Sequence, residues 1–556
     1  MAVLSGIALD TGEFQGESRG CRASGSVAVM EHTVWVRTVV VPHPADGRGR
    51  RAASIVEVDA SGAQLGPVRE YPEFADAVAT IEAESRPRWV WTSTATVYPE
   101  LLRAGVRVQR CHDLATTGAI LAVREGLPQP TAEEPVDERP GLFDAAPAID
   151  VEAVVAQFAD QRRRISGDAR LELLTAAESA GTLAAAEMGF DGLPFSAQAH
   201  RRLLEDTLGP RPTGYDLPGR IAEVVEEISA AFGRPVNPAS HNEVLEAFRR
   251  EGITVESTRK HVLQRIDHPV VPLLLRHREL SKLYSTNGWH WLDTWVRDDR
   301  FRPVYVPGAV VSGRWASRGG GALQIPKALR SSVVADPGRS FVVADAGQLE
   351  PRILAAMSGD RRMVAAAGSD DLYAPVAAAS FGGDRAKAKV AVLGVLYGAT
   401  SGDARALLTV LRRSFPAAVD FVERAARAGE RGEVVHSWLG RACPPAPEGF
   451  HSYGDAHARG RFTRNFVVQA TAAEWALCVL AELRRRLTTD PDPTVGDLVF
   501  FQHDEVVVHT GNPELASSHI TASVEVATRL MFGDTQVRFP MDTAVRNVYA
   551  EDAGGE

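Results

Sequence analysis

Apolar positions along the chain change period several times, and each change marks a change of predicted element. Residues 1–125 alternate short β-rich runs with single helices: Val27–Met30, Thr33–Val41 and Trp89–Trp91 read as strands, Glu73–Glu84 and Tyr98–Ala104 as helices. A Pro- and acid-rich stretch from Leu127 to Pro147 reads as a linker or exposed loop. From Asp150 to about His290 the spacing becomes helical, over Ala153–Ile165, Leu171–Glu187, Ile221–Phe232, Asn242–Arg250 and Val270–Tyr284. Strands return around Val304–Val311 and at Ser340–Ala344, helices dominate Pro351 to Ala428, and Leu498–Thr510 is the strongest hairpin-like strand pair. The pattern predicts several domains of mixed α and β structure, with no internal repeat.

Composition narrows the class. The 556 residues are 45% apolar and 24% charged, ordinary values for a soluble globular protein. The start of the chain lacks the basic, apolar pattern of a signal peptide, and no stretch reads as a membrane span, so a cytoplasmic protein is expected. Cys21, Cys111, Cys443 and Cys478 are far apart and form no C-x-x-C pair, which argues against a disulfide framework or a structural zinc site. The net charge of −10 is unevenly placed: residues 264–556 hold 34 basic and 33 acidic residues, so the acidity lies in the N-terminal half. Between Phe301 and Ala344, six basic residues face one acid, Asp336. Such a strip suits a phosphate backbone, although a solvated loop would show the same charge.

Four segments carry candidate chemistry. In the first, the apolar run from Phe341 ends in Asp345, followed by Gln348, Glu350 and Arg352. A strand end can project a carboxylate into a cleft, but an Asp there can equally be a helix cap. In the second, His503-Asp504-Glu505 interrupts two β-forming runs. A hairpin tip explains the break, yet adjacent carboxylates repel unless solvent or a cation compensates them. In the third, Arg385, Lys389 and Tyr397 share one helix stripe, able to meet phosphates and a base or to form a solvated basic face. In the fourth, Arg461, Asn465 and Gln469 repeat every four residues on an otherwise apolar helix, which suits contacts to base edges or sugars.

Taken in order, these segments resemble the polymerase domain of the family A DNA polymerases, the bacterial DNA polymerase I type. Ser312-Gly313-Arg314 and Leu323-Gln324-Ile325-Pro326 resemble its T-G-R and L-Q-N-I-P segments. Residues 341–360 resemble motif A, residues 385–398 motif B, residues 502–505 motif C, and residues 280–286 a thumb-helix segment. The resemblance covers roughly residues 170–550. It implies an α+β multidomain palm-fingers-thumb fold, preceded by a ribonuclease H-like α/β domain of the 3′–5′ exonuclease type. The implied boundaries are 1–165 for that domain, 166–300 for the thumb, 301–360 and 435–556 for the palm, and 361–434 for the fingers. A 5′-nuclease domain is not expected.

The resemblance also implies roles. Asp345 and Asp504 would be ligands of two Mg²⁺ ions (Mn²⁺ as a substitute), with Glu505 nearby. Arg385 and Lys389 would grip the deoxynucleoside triphosphate, Lys389 also protonating the leaving group. Gln348, Glu350, Leu393, Tyr397 and Gly398 would surround the incoming nucleotide, Glu350 excluding a ribose 2′-hydroxyl. Arg314, Gln324, Arg461, Asn465, Gln469 and His503 would hold primer-template DNA, and the enzyme would act as a monomer. Departures stand beside the matches: Ala346-Gly347 replaces Tyr-Ser, Pro351 replaces Leu, and Leu393 replaces an aromatic ring. In the N-terminal part, Asp10 and Glu13 resemble a D-x-E motif one residue too wide. Val97-Tyr98 stands where a second aspartate is expected, and Asp160 is a weak stand-in for the third, so nuclease activity is not expected. Two alternatives follow: a non-catalytic DNA-binding homologue, motivated by the altered motif A and Leu393, and a 3′–5′ exonuclease, motivated by Asp10 and Glu13.

Overall fold

The computed structural model describes residues 36–45, 50–127, 150–214, 216–318, 321, 325–398, 403–447, 449–450 and 452–550. The expected strand Val27–Met30 and the D-x-E-like pair Asp10 and Glu13 lie outside these residues, as does Gln324. The chain divides into two compact units: one holds residues 1–190, 305–316 and 338–546, the other 191–304, 317–337 and 547–556.

The N-terminal part of the first unit is built on β1 (Arg37–Pro42), β2 (Ala53–Val58), β3 (Arg69–Tyr71), β4 (Arg88–Trp91) and β5 (Arg110–Asp113). The sheet order is β3-β2-β1-β4-β5, antiparallel from β3 to β1 and parallel from β1 to β5. Its helices are α1 (Phe74–Ser85), α2 (Thr94–Arg103), α3 (Leu114–Arg124), α4 (Val151–Ile165) and α5 (Ala169–Asp191). Side chains on a strand alternate between faces, so each strand feeds two cores. Val39, Val41 and Val90 pack with Leu114, Val154 and Phe158. Val40, Trp89 and Trp91 pack with Phe74, Tyr98 and Leu183 of α5.

The second unit holds the short strands β6 (Leu193–Pro194), β7 (Val296–Arg297) and β8 (Arg300–Phe301), and six helices. These are α6 (Ala197–Leu208), α7 (Gly219–Ala231), α8 (His241–Arg250), α9 (Lys260–Leu263), α10 (Val270–Asn287) and α11 (Trp289–Trp295). Leu204, Val224, Ile228, Phe248, Leu274 and Leu280 supply the apolar stripes that close its core. The strand expected over Val304–Val311 is shorter: β9 spans Val304–Val306 and stops at Pro307-Gly308, where Gly308 takes φ +63°. Another short strand, β10 (Ala316–Arg318), follows Arg314.

The rest of the first unit centres on an antiparallel sheet of order β12-β13-β11-β14. Its strands are β11 (Ser340–Ala346), β12 (Asp497–Gln502), β13 (Glu505–Thr510) and β14 (Met541–Arg546). Helices α12 (Leu349–Ser358), α13 (Arg361–Ala367), α14 (Tyr373–Ser380), α15 (Arg385–Tyr397), α16 (Asp403–Ser414) and α17 (Pro416–Glu430) follow β11; α18 (Tyr453–Thr489) and α19 (Pro513–Phe532) flank the hairpin. The expectation that no segment is apolar enough to span a membrane needs correction. By length and composition α18 passes that test, but 89% of its most apolar window is buried inside the protein. It is the central core helix of this unit.

Buried ion pairs fasten α5 to this part of the fold. Arg484 of α18 donates to Glu187 of α5 at 2.6 and 2.7 Å and to the carbonyls of Val108 and Gln109. Tyr98 donates to the same Glu187 at 2.5 Å. Burial alone would raise the Glu187 carboxyl, but the Arg484 guanidinium brings it below the usual range. Glu178 of α5 pairs with Arg441, both almost wholly buried.

Candidate active site

The site begins at the hairpin of β12 and β13. Its loop is only His503-Asp504, between the register partners Gln502 and Glu505. His503 takes φ +58°, a left-handed conformation that suits Gly and is strained in most other residues. A hairpin tip is therefore the right description of the backbone, and it leaves Asp504 projecting from a tight turn. On the neighbouring strand Asp345 lies in β11, not at a helix cap: the cap of α12 is Gln348, in the left-handed region at φ +59°. Pro351 falls in the first turn of α12, where its missing N–H costs no helix bond.

Register brings acids together. Asp345 is paired with Glu505 on one side and with Asp542 of β14 on the other. The amide of Ala346 donates to the carbonyl of Asp504 at 3.2 Å, so the turn is stitched to the end of β11. Burial and then the charge of Asp345 push the Asp504 carboxyl up to about 7. Asp345 is itself raised, first by loss of solvent and then by Asp542. Asp504 thus ionises against the charge of Asp345, and Asp345 against that of Asp542.

A cleft of about 340 Å³ opens beside Asp504, lined by it and by His503, Arg314, Gln348, Glu350, Pro351, Tyr373, Lys389, Leu393 and Tyr397, with Leu349, Ala472 and Ala473; Asp345 does not line it. Lys389, Leu393 and Tyr397 come from successive turns of α15, as their four-residue spacing requires. Gly398 closes that helix at φ +68°. Glu350 accepts from Arg314 at 2.5 Å and from Tyr397 at 2.6 Å. Burial, then the hydrogen bond to Glu350, holds the Tyr397 phenol up at about 12, so it stays a neutral donor. Gly313 takes φ +81°, and a Cβ there would lie 2.6 Å from Nε of Arg441, so glycine suits the turn that leads into Arg314.

The stripe on α18 is formed as expected. Gln469 interacts with the Tyr397 hydroxyl, Asn465 is partly buried with an unpartnered Oδ1, and Arg461 is exposed. Arg385 is engaged by Asp371, in the loop between α13 and α14. Asp371, Tyr373 and Asp542 were missed in the sequence. The first had a usable signal, a Gly368-Ser369-Asp370-Asp371 loop just before a helix. Asp542 had none, since only strand pairing brings it to Asp345.

Residues 213–549 match the family model described as DNA polymerase family A. DNA polymerase I of Chloroflexus aurantiacus is 28% identical over 370 residues, covering 58% of this chain and 37% of that protein. The thermostable DNA polymerase I of Thermus filiformis is 30% identical over 275 residues, covering 43% and 32%. The chain thus spans about a third of the length of these curated relatives. Among solved structures, the POL domain of Pol1 from M. smegmatis, described in complex with DNA primer-template and dNTP, aligns with a TM-score of 0.69 at 18% identity. The alignment covers 93% of this chain and 95% of that one, a likeness of fold.

Proposed function

The chain belongs to DNA polymerase family A, and from that premise we propose that it is a template-directed DNA polymerase adding deoxynucleotides to a primer 3′ end. The observation that carries this reading is the meeting of Asp504, Lys389, Glu350, Tyr397 and Arg314 on one cleft, with Asp345 on the adjoining strand. In-line phosphoryl transfer needs positioning and charge neutralisation more than covalent help from protein.

Family A polymerases work with divalent metal ions, and the residues fit such ions. Burial and the charge of Asp345 raise the cost of ionising Asp504, and burial and Asp542 raise that of Asp345, which a bound cation would relieve. Among the described residues no group of three or more His, Cys, Asp or Glu forms a metal cage. That suits Mg²⁺, which takes one or two carboxylates and completes its shell with water and substrate oxygens. Asp345 and Asp504 would hold it, with Mn²⁺ as a substitute; when bound, such ions acidify a primer 3′-hydroxyl and offset charge on departing pyrophosphate.

The chain's own groups do the remainder. Lys389 brings an ammonium to the cleft, able to attract phosphate and to give a proton to the leaving group. Arg385, one turn away, adds a second phosphate grip. Glu350, held by two donors, would exclude a 2′-hydroxyl. Leu393 offers an aliphatic wall to the sugar, while Gln348, Tyr397 and Gly398 border the nascent pair. Arg314, Gln324, Arg461, Asn465, Gln469 and His503 would hold primer and template, and Glu505 would support Asp345 from β13. We read 166–300 as thumb, 301–360 and 435–556 as palm, 361–434 as fingers, and 1–165 as an exonuclease-type domain. In that last domain Asp113 caps α3 and accepts from Thr94, and Asp160 is exposed and paired with Arg163 and Arg164. Asp113 is thus committed to structural contacts, whereas Asp160 is held only by surface pairs.

The test is a labelled primer annealed to a template and offered one deoxynucleotide at a time with Mg²⁺. Extension only by the complementary nucleotide is expected. Duplex binding without extension, under Mg²⁺ and under Mn²⁺, would overturn the reading in favour of a non-catalytic homologue.

A further inference from the structure

Asp371 gathers the two segments that face the cleft. Its carboxylate accepts from Nε2 of Gln348 at 2.8 Å and from the amide of Tyr373 at 3.0 Å. It also takes two edges of Arg385, Nε at 2.7 Å and Nη2 at 3.4 Å. Gln348 is tied at its other end too, its Oε1 accepting from the amide of Leu372 at 2.8 Å. The Arg385 guanidinium lies 5.5 Å over the Tyr373 ring, so it is held by a carboxylate and an aromatic face at once.

The loop that presents Asp371 is itself anchored. The buried guanidinium of Arg352 donates to the carbonyls of Gly347, Ala367, Ser369, Asp370 and Arg538. Asp371 is therefore fixed, while the pair it makes with Arg385 is open, with side chains 36% and 55% exposed. A half-exposed ion pair of this kind is weak and readily exchanged. A triphosphate carries several charges and accepts arginine bidentately, so it competes well for the same guanidinium.

We propose, resting on the polymerase reading, that Asp371 is a latch: it holds Arg385 in the nucleotide-free protein and yields it to the triphosphate of an incoming nucleotide. The latch is a positioning device acting through Arg385. It selects for ligands with enough phosphate to replace the carboxylate, and disfavours monophosphates and nucleosides, which cannot reach or release the guanidinium.

The test is an equilibrium titration of dATP and dAMP, without primer, against wild type, Asp371→Asn, Arg385→Ala and the double variant. Asp371→Asn keeps the acceptor for Tyr373 and loses the charge. It is expected to bind dATP about threefold to fivefold more tightly, with dAMP unchanged within about twofold. On the Arg385→Ala background the same substitution should change dATP binding less than about twofold, since coupled residues are non-additive. Asp371→Glu, which keeps the charge, should bind dATP as wild type does. In primer extension, Asp371→Asn should lower KM with kcat little changed. Binding of dATP by Asp371→Asn that is equal to or weaker than wild type, or an equal gain without Arg385, would overturn the latch. A wild type that binds dATP but extends no primer would sink the polymerase reading alone, because the titration does not depend on extension.

Discussion

Tyr397, at the last turn of α15, donates to one oxygen of Glu350 at 2.6 Å while Arg314 takes the other at 2.5 Å. One carboxylate therefore sets the position of the end of α15 and of a candidate primer contact together. Removing it should do two things at once, widen the cleft and loosen both partners. Glu350→Ala is expected to raise incorporation of ribonucleotides relative to deoxynucleotides by roughly tenfold or more. Tyr397→Phe keeps the ring and loses one hydrogen bond to a charged group, for which about a tenfold loss in kcat/KM is expected. An unchanged sugar preference in Glu350→Ala would show that this carboxylate is no gate.

The repulsion between Asp345 and Asp504 has a pH signature. An unperturbed Asp titrates near 3.9, whereas Asp504 is pushed up to about 7 by burial and by Asp345. Between these values the folded chain keeps a proton that the unfolded chain has lost, so stability falls as pH rises through that window. Asp504→Asn removes the fall. Without divalent ions at pH 8, the variant should melt about 2–4 °C above wild type, and the gap should close near pH 4.5. Mg²⁺ or Mn²⁺ at pH 8 should raise the midpoint of wild type and leave the variant nearly unmoved. A melting curve for wild type that ignores both pH and metal would contradict the site.

Arg484 should be as important to stability as the cleft is to chemistry. It is buried, satisfied by Glu187 and by two carbonyls of the segment after α2. Arg484→Met leaves Glu187 buried with Tyr98 and only the partly exposed Arg107 at 4.0 Å as a cation, at a cost of about 3 kcal/mol. Adding Glu187→Leu should restore most of that loss, since a buried pair replaced by apolar groups is often neutral. Denaturant unfolding of the three variants measures both steps.

Much of the site was legible because its elements obey local periodicity. The β-rich runs around His503-Asp504 could form only a hairpin, and the spacing of Lys389, Leu393 and Tyr397 could face only one way on a helix. What escaped depends on contacts distant in sequence. The strand expected over Thr33–Val41 is present among the described residues as Arg37–Pro42, but its place between β2 and β4 comes from pairing that no local pattern announces. Asp542 reaches Asp345 only through β14. Glu187 and Arg484 read as ordinary helix charges until α5 and α18 are packed. Asp371 looked like a loop acid, and its importance lies in what Gln348 and Arg385 do with it. The apolar window of α18 is buried inside the protein, and composition alone does not tell such a core helix from a lipid-facing one.

The most direct measurement is the single-turnover rate of nucleotide addition by wild type, Asp345→Asn and Asp504→Asn on one primer-template, with duplex affinity measured alongside. Asp345 and Asp504 acting together predict that either substitution lowers the rate by about a thousandfold or more while duplex affinity stays within about threefold of wild type. A variant of either residue that still extends the primer within tenfold of the wild-type rate would contradict the account.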